Sequence, residues 1–365
     1  MTSMATAEGN GEALRGGVPA PRAPFMPFVP FRYRRNNIGA SIKEVTMAST
    51  VIMSFQSILD SIREKARSER DKGTKFEELI RRYLLTDPVY ATRFEWVVMW
   101  NDFFARRELG GADTGIDLVA KDKYGQFWAV QCKCYDTDTP VSKADMDSFI
   151  STSGRTFTDE DGTRKGFSER LVVASTDNWG SNALEVLRGQ EKPVNIIKLS
   201  DLRQAQVKWD DLWEGKEGEA ARKEKYTLRR HQAVAFNKAM EHFKDHDRGR
   251  MIMACGTGKT FTSLKIAEGI LEHYDRIEET DTILFLAPSI ALVGQTLREW
   301  MSNAERKLNP ICVCSDTTVS KKRSEDDDGM ERVEDLGVPS TTDPKRIYEE
   351  WTKCPKDEVT VIFST

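Results

Sequence analysis

Cysteine is scarce in this chain: six residues out of 365, at Cys132, Cys134, Cys255, Cys312, Cys314 and Cys354. That count excludes a disulfide-stapled scaffold, and the two C-x-C pairs lack the C-x2-C spacing of a zinc ribbon. Both pairs fall in strand-like runs, so the expectation is free, buried thiols in a reducing cytoplasm. No apolar run approaches the ~18 residues of a membrane-spanning helix, and no membrane partner is expected. An excess of positive charge is also missing, since 54 basic against 58 acidic residues leave a net charge of −4. This excludes a surface that is basic overall and leaves room for a local basic groove. The chain has no internal repeat, and its first residues lack the apolar core of a secretory signal.

What is present divides into blocks. Residues 1–53 include the Pro- and Arg-rich, aperiodic stretch PAPRAPFMPFVPFRYRRNN, which reads as a disordered extension. Met47 and Met53 are candidate biological starts. Residues 54–85 carry helical periodicity: Phe76, Leu79, Ile80, Tyr83 and Leu84 form one stripe, which Glu77 borders while Glu78 faces away. Strand or buried helix is expected at 94–100, a strand at 115–120, a turn at 122–125 and the partner strand at 126–135. A helix at 141–154, a polar loop at 158–166, a strand at 169–176, a helix at 181–189 and a strand at 194–199 follow. The charged stretch 201–225 marks a boundary, with 215–225 expected as a linker helix or tether. The domains read as 54–205 and 231–365, joined by 206–230.

The second block opens with MACGTGKT at 253–260. This has the form of a phosphate-binding loop: glycines let backbone N–H groups turn toward phosphates, Lys259 reaches the β/γ-phosphates and Thr260 holds Mg²⁺ through its hydroxyl. Cys255, Gly256, Thr257, Gly258, Lys259 and Thr260 are therefore the candidate nucleotide-binding residues, with ATP and Mg²⁺ as cofactors. The expected context is strand–loop–helix, with a short buried strand at 250–255 and a helix at 261–274. Further strands are expected at 282–289, 311–315 and 359–365, a helix at 290–302, and a flexible polar insertion at 321–337.

The first block carries a second constellation. Strand side chains alternate, so Gln131 and Lys133 share one face and Cys132 and Cys134 the other. A hairpin can bring Asp117 to the Gln131/Lys133 face, with Glu77 arriving from the packed helix. Asp117 and the Gln131 carbonyl are hard oxygen ligands suited to Mg²⁺, and Lys133 can orient water or steady charge on a phosphate. Asp113 competes with Asp117 but sits in the GGADTG turn, where Asp is common.

Asp117, Gln131-Cys132-Lys133 and Phe76-Glu77 together resemble the Mrr-like branch of the PD-(D/E)xK nucleases, over roughly residues 70–200. The second block resembles the first RecA-like domain of superfamily 2 helicases. There Gln232 of LRRHQ matches the adenine-reading glutamine, and Pro288, Ser289 and Gln295 match a motif lying along the nucleic-acid backbone. The order of the two blocks is similar to that of type ISP restriction enzymes. The resemblance implies an α/β fold: a restriction-endonuclease-like mixed sheet flanked by helices, then a partial RecA-like P-loop domain. It also implies double-stranded DNA and ATP as partners, with methyltransferase or specificity modules downstream of or outside the chain. The Asp-Glu box and the second RecA-like domain have not appeared by Thr365, so the chain is expected to be the N-terminal part of a longer enzyme, binding ATP with little hydrolysis. Two other readings stay open. One is a helicase or remodeller whose first block binds DNA without cutting it; the other is a truncated ATP-binding product without catalysis.

Overall fold

The computed structural model describes residues 54–111, 114–187, 190–273, 281–315 and 332–365. The extension at 1–53 with its candidate starts, Asp113, and residues 321–331 of the polar insertion lie outside the described residues.

The helical stretch at 54–85 is two helices, α1 (Phe55–Lys65) and α2 (Glu69–Thr86). Each has its own serine cap: the Ser54 hydroxyl accepts from Ser57 N and the Ser68 hydroxyl from Asp71 N. Satisfying the first turn's spare N–H groups in this way is what lets the chain restart a helix after three residues. Phe55, Ile58, Leu59 and Ile62 on α1, with Phe76, Leu79, Ile80, Tyr83 and Leu84 on α2, are all buried, as the 3.6-residue stripe requires. The short α3 (Pro88–Ala91) leads into β1 (Phe94–Met99).

Strands β2 (Leu118–Asp122) and β3 (Phe127–Lys133) form the expected hairpin. After α4 (Lys143–Ser153), the polar loop expected at 158–166 is instead the tip of a second hairpin, between β4 (Thr156–Thr158) and β5 (Arg164–Ala174). Charged side chains hid this strand start: Arg164 is exposed, and Lys165 and Gly166 are only partly covered. Helix α5 (Ser181–Leu187) and β6 (Val194–Ile197) complete a mixed six-stranded sheet in the order β1-β2-β3-β5-β4, with β6 paired to β5. Leu118, Trp128, Val130 and Cys132 join the core under α1 and α2. Val119, Phe127 and Ala129 pack on the other side with Met146, Phe149 and Ala183 of α4 and α5. The sheet is thus sandwiched by helices, and the alternation of β3 sorts its side chains between the two layers.

Helices α6 (Leu199–Gln204) and α7 (Trp209–Trp213) fold back on α1 and α2, where Trp209 stacks on Tyr83 with ring centroids 5.4 Å apart. The expected linker helix or tether at 215–225 is neither. Gly218–Ala221 is a 3-10 turn, Ala221 is fully buried, and Arg222 Nε donates to Thr86 O at 2.7 Å. Small residues and a backbone-seeking arginine strap this segment to the end of α2.

The second block holds α8 (Arg230–His242), α9 (Lys259–His273), β7 (Thr282–Leu286), α10 (Ile290–Asn303), β8 (Lys307–Val313), α11 (Pro344–Thr352) and β9 (Glu358–Ser364). Its sheet is parallel, in the order β7-β9-β8, and β8 starts four residues before the strand expected at 311–315. The strand expected at 250–255 is absent: no ladder forms there, and Ile252 is 85% exposed. An apolar run becomes a strand only beside a strand that can take its backbone hydrogen bonds, and among the described residues none pairs with it. Residues 51–365 form one compact unit. No helix of the described residues is long and apolar enough to cross a membrane.

Candidate active site

Asp117 stands at the mouth of the β2–β3 hairpin, one residue before β2 as it is hydrogen-bonded. Its N–H donates to Val130 O at 2.9 Å and its carbonyl accepts from Trp100 N at 2.8 Å. Leu118 opposes Val130, so Asp117 opposes Gln131 and shares its face. The approach to it requires glycine. Gly115 has φ of 73°, and a Cβ there would lie 2.7 Å from Ser148 Oγ and 2.8 Å from Phe149 N. The loop therefore lies flat on α4 before turning up at Asp117. The Asp117 Oδ2 atom accepts from Cys132 N at 2.7 Å. Burial pushes its carboxyl up to about 6, against the pull of the Cys132 N–H and the Lys133 charge.

Gln131 is 1% exposed. Its Nε2 donates to the carbonyl oxygen of Asp145 on α4 at 3.0 Å, while its buried Oε1 has no hydrogen-bond partner. The bond to Asp145 fixes which end of the amide points where, because the flipped amide would set two oxygens against each other. A buried carbonyl left without a partner costs about 1–3 kcal/mol. Two residues on, Lys133 Nζ lies 3.5 Å from Asp145 Oδ1. The same Oδ1 accepts from Tyr135 OH at 2.5 Å, and Oδ2 accepts from Ser142 N and Oγ at 2.8 and 2.7 Å.

Glu77 is half-buried on α2, with Gly73 one turn earlier leaving room beside its Oε1. Burial, then the neighbouring Asp117 charge, pushes its carboxyl up to about 7. Glu77 comes from the α2 side of the sheet and Lys133 from the α4 side, and Asp117 at the strand mouth feels both. Glu78 is exposed, as its helical phase requires. Among the described residues no three His, Cys, Asp or Glu side chains gather as a metal cluster. A cation here would draw on the Asp117 carboxylate and the Gln131 amide oxygen. The sequence reading passed over Asp145 and Tyr135. Their only signal was the S-x-x-D capping box at Ser142–Asp145 directly after the strand.

The phosphate loop is built around Gln232, which is 5% exposed. Its Oε1 accepts from Arg229 N at 2.8 Å and its Nε2 donates to Thr257 O at 3.1 Å. Gly256 and Gly258 have φ of 75° and 77°, and a Cβ on Gly258 would stand 2.3 Å from Gln232 Nε2. Only glycine fits between glutamine and loop. Thr257 Oγ1 and Lys259 Nζ donate to Ala254 O at 2.7 and 3.1 Å. Lys259 and Thr260 open α9, and Thr260 O accepts from Trp300 Nε1 at 3.0 Å, which anchors the loop exit to α10. Ser289 caps α10, with its Oγ accepting from Leu292 N. Gln295 lines a cavity of about 330 Å³ together with Asp201 and Tyr90 of the first block. All six cysteines are free thiols. Cys132, Cys312, Cys314 and Cys354 are buried as expected, but Cys134 is only partly covered and Cys255 is exposed in the phosphate loop.

Residues 85–219 match the family described as restriction endonuclease, and residues 225–352 match the family of the Type III restriction enzyme res subunit. Among solved structures, the chain is similar to the ATP-dependent Type ISP restriction-modification enzyme LlaBIII bound to DNA. That match has 31% identity and a TM-score of 0.66, and covers 84% of this chain and 18% of that one. A nuclease-deletion mutant of the Type ISP enzyme LlaGI, in complex with a DNA substrate mimic, matches at 38% identity and a TM-score of 0.30. It covers 38% of this chain and 13% of that one. The chain thus spans less than a fifth of the length of either enzyme. No curated protein matches.

Proposed function

We propose that this chain, a restriction-endonuclease domain followed by a helicase-type domain, carries the cutting centre and the start of the motor of a Type ISP-like restriction enzyme. In this reading it is a Mg²⁺-dependent endonuclease acting on double-stranded DNA in the cytoplasm, coupled to ATP-driven translocation. Residues 54–205 are read as the nuclease, 206–230 as the connection and 231–365 as the motor's first, incomplete part. Methyltransferase and target-recognition modules would lie elsewhere in the enzyme.

The observation that carries this reading is the orphaned Gln131 Oε1, buried opposite Asp117. The donor set fits a hard divalent cation: the Asp117 carboxylate and the Gln131 amide oxygen. Bound there, Mg²⁺ would polarise the phosphodiester and acidify water. The chain's own groups do the rest. Asp117 is held by Cys132 N, so one carboxylate oxygen is fixed and the other is left to bind. Glu77, pushed up to about 7 by burial, can take or give a proton near neutrality. Lys133 carries positive charge to the same face, where it can orient water or steady the developing negative charge. In the motor, Lys259, Thr260 and the loop N–H groups would hold the ATP phosphates and their Mg²⁺, with Gln232 fixing the loop beneath the adenine.

The test is Mg²⁺-dependent cleavage of double-stranded DNA, with and without ATP, by the wild type, Asp117→Ala and Lys133→Ala. The wild type should cut and both variants should fall at least about 100-fold. Equal activity in all three would remove the assignment, and DNA binding without cleavage would favour a non-cutting first block.

A further inference from the structure

We infer that Asp145, at the third position of α4, is the positioning residue that sets both halves of the Gln131–Lys133 pair and balances the lysine charge beside the cation site. The inference rests on the nuclease reading of that site and names the residue that organises it. One residue touches both groups through different atoms. The backbone oxygen of Asp145 takes the Gln131 amide hydrogen at 3.0 Å, which fixes the amide's orientation and leaves Oε1 without a partner. Its carboxylate stands 3.5 Å from Lys133 Nζ. That carboxylate is held still by Tyr135 OH at 2.5 Å and by the Ser142 N–H and hydroxyl. The lysine and aspartate side chains are 22% and 19% exposed, so solvent screens their charges only in part.

The physical consequence concerns cation binding. Lys133 is two residues from Gln131 on the same face, and its charge repels any divalent ion held by Gln131 and Asp117. Asp145 cancels that repulsion while leaving the ammonium in place for its work on the phosphate. Asp145→Asn keeps the shape, the backbone bond to Gln131 and one acceptor oxygen for the Ser142 cap, and removes the charge together with the acceptor that faces Lys133 and Tyr135.

The experiment is calorimetric titration of the metal-free chain with Mn²⁺ alone, in wild type, Asp145→Asn, Lys133→Met, the double variant and Asp117→Ala. Asp145→Asn should weaken Mn²⁺ binding about fivefold in the wild-type background and hardly at all in the Lys133→Met background. A merely structural role would give the same loss in both backgrounds, and that result would overturn the inference, as would no loss in either. Asp117→Ala should abolish the binding. If it binds Mn²⁺ as the wild type does, the metal-site reading itself fails, which separates that failure from failure of the Asp145 inference. In the cleavage assay Asp145→Asn should lower kcat about tenfold with KM for DNA unchanged. A rise in KM at constant kcat would place Asp145 in DNA binding instead.

Discussion

Replacing Gln131 by leucine should leave the metal-free protein as stable as the wild type, or more so, while destroying its response to Mg²⁺. Gln131 is 1% exposed, makes one hydrogen bond through Nε2 and leaves Oε1 unpaired. Losing the hydrogen bond costs about 1 kcal/mol, and removing an unsatisfied buried carbonyl returns about 1–3 kcal/mol. Leucine is close in size, so no large cavity opens. The balance for Gln131→Leu in EDTA is therefore between no change and about 2 kcal/mol of added stability. With Mg²⁺ at about 100 times its dissociation constant, the wild type should gain about 2.7 kcal/mol and the variant nothing from this site. Urea unfolding followed by tryptophan fluorescence, with EDTA and with Mg²⁺, reads both quantities. A loss of 2 kcal/mol or more in EDTA (roughly the cost of a true core hydrogen-bonding residue) would show that Gln131 is there for the fold. That result would refute the reasoning, as would an undiminished gain with Mg²⁺.

Other outcomes follow from the same geometry. Burial raises the folded-state values of Asp117 and Asp87 to about 6 and of Glu77 to about 7, above the ordinary 3.8 and 4.5. The folded state therefore binds these protons more tightly, and the stability they contribute is complete below about pH 4 and lost as pH rises through about 6–7. The melting temperature of the metal-free protein should fall across that window and recover in part with Mg²⁺, whereas a steady rise would contradict the shifts. Gly258→Ala meets both a φ of 77° and Gln232 Nε2 at 2.3 Å. It should weaken binding of a fluorescent ATP analogue by at least about tenfold with little change in Mn²⁺ binding at the Asp117 site, and wild-type nucleotide affinity would count against the loop geometry. Arg346 Nη2 lies 2.6 Å from Glu169, which is 1% exposed. Arg346→Ala should cost about 3 kcal/mol in denaturant unfolding by stranding that acid, and adding Glu169→Gln should recover part of it; a change under about 1 kcal/mol would mean the pair is inconsequential.

Period and alternation carried much of the fold into view. The stripe from Phe76 to Leu84 sits on the core, and the alternation through Gln131, Cys132 and Lys133 sends the cysteine under α2 and the other two toward α4. These are local geometric rules, which the sequence obeys without knowing its neighbours. Asp145 was not legible, because no spacing in the chain says which helix will come to rest over the Gln131 side chain. The same limit explains 250–255: its apolar residues satisfy a strand pattern, yet a strand is a relation between segments, and Ile252 meets solvent. The hairpin at 156–166 was missed because its tip and the start of β5 are charged or polar, and β4 offers a single apolar residue, Phe157, which is too short a signal to read as a strand. The GTGKT string proposes a phosphate loop by its letters alone, but the dependence of this turn on Gln232 appears only where Gly258 meets that side chain.

The most direct test of the metal-dependent nuclease site is the position of manganese in crystals soaked with Mn²⁺, located by anomalous diffraction. The expected peak lies within about 2.2 Å of an Asp117 carboxylate oxygen and of Gln131 Oε1, with Glu77 nearby. Manganese bound elsewhere with this position empty, or a Gln131 amide turned so that Nε2 faces Asp117, would contradict it.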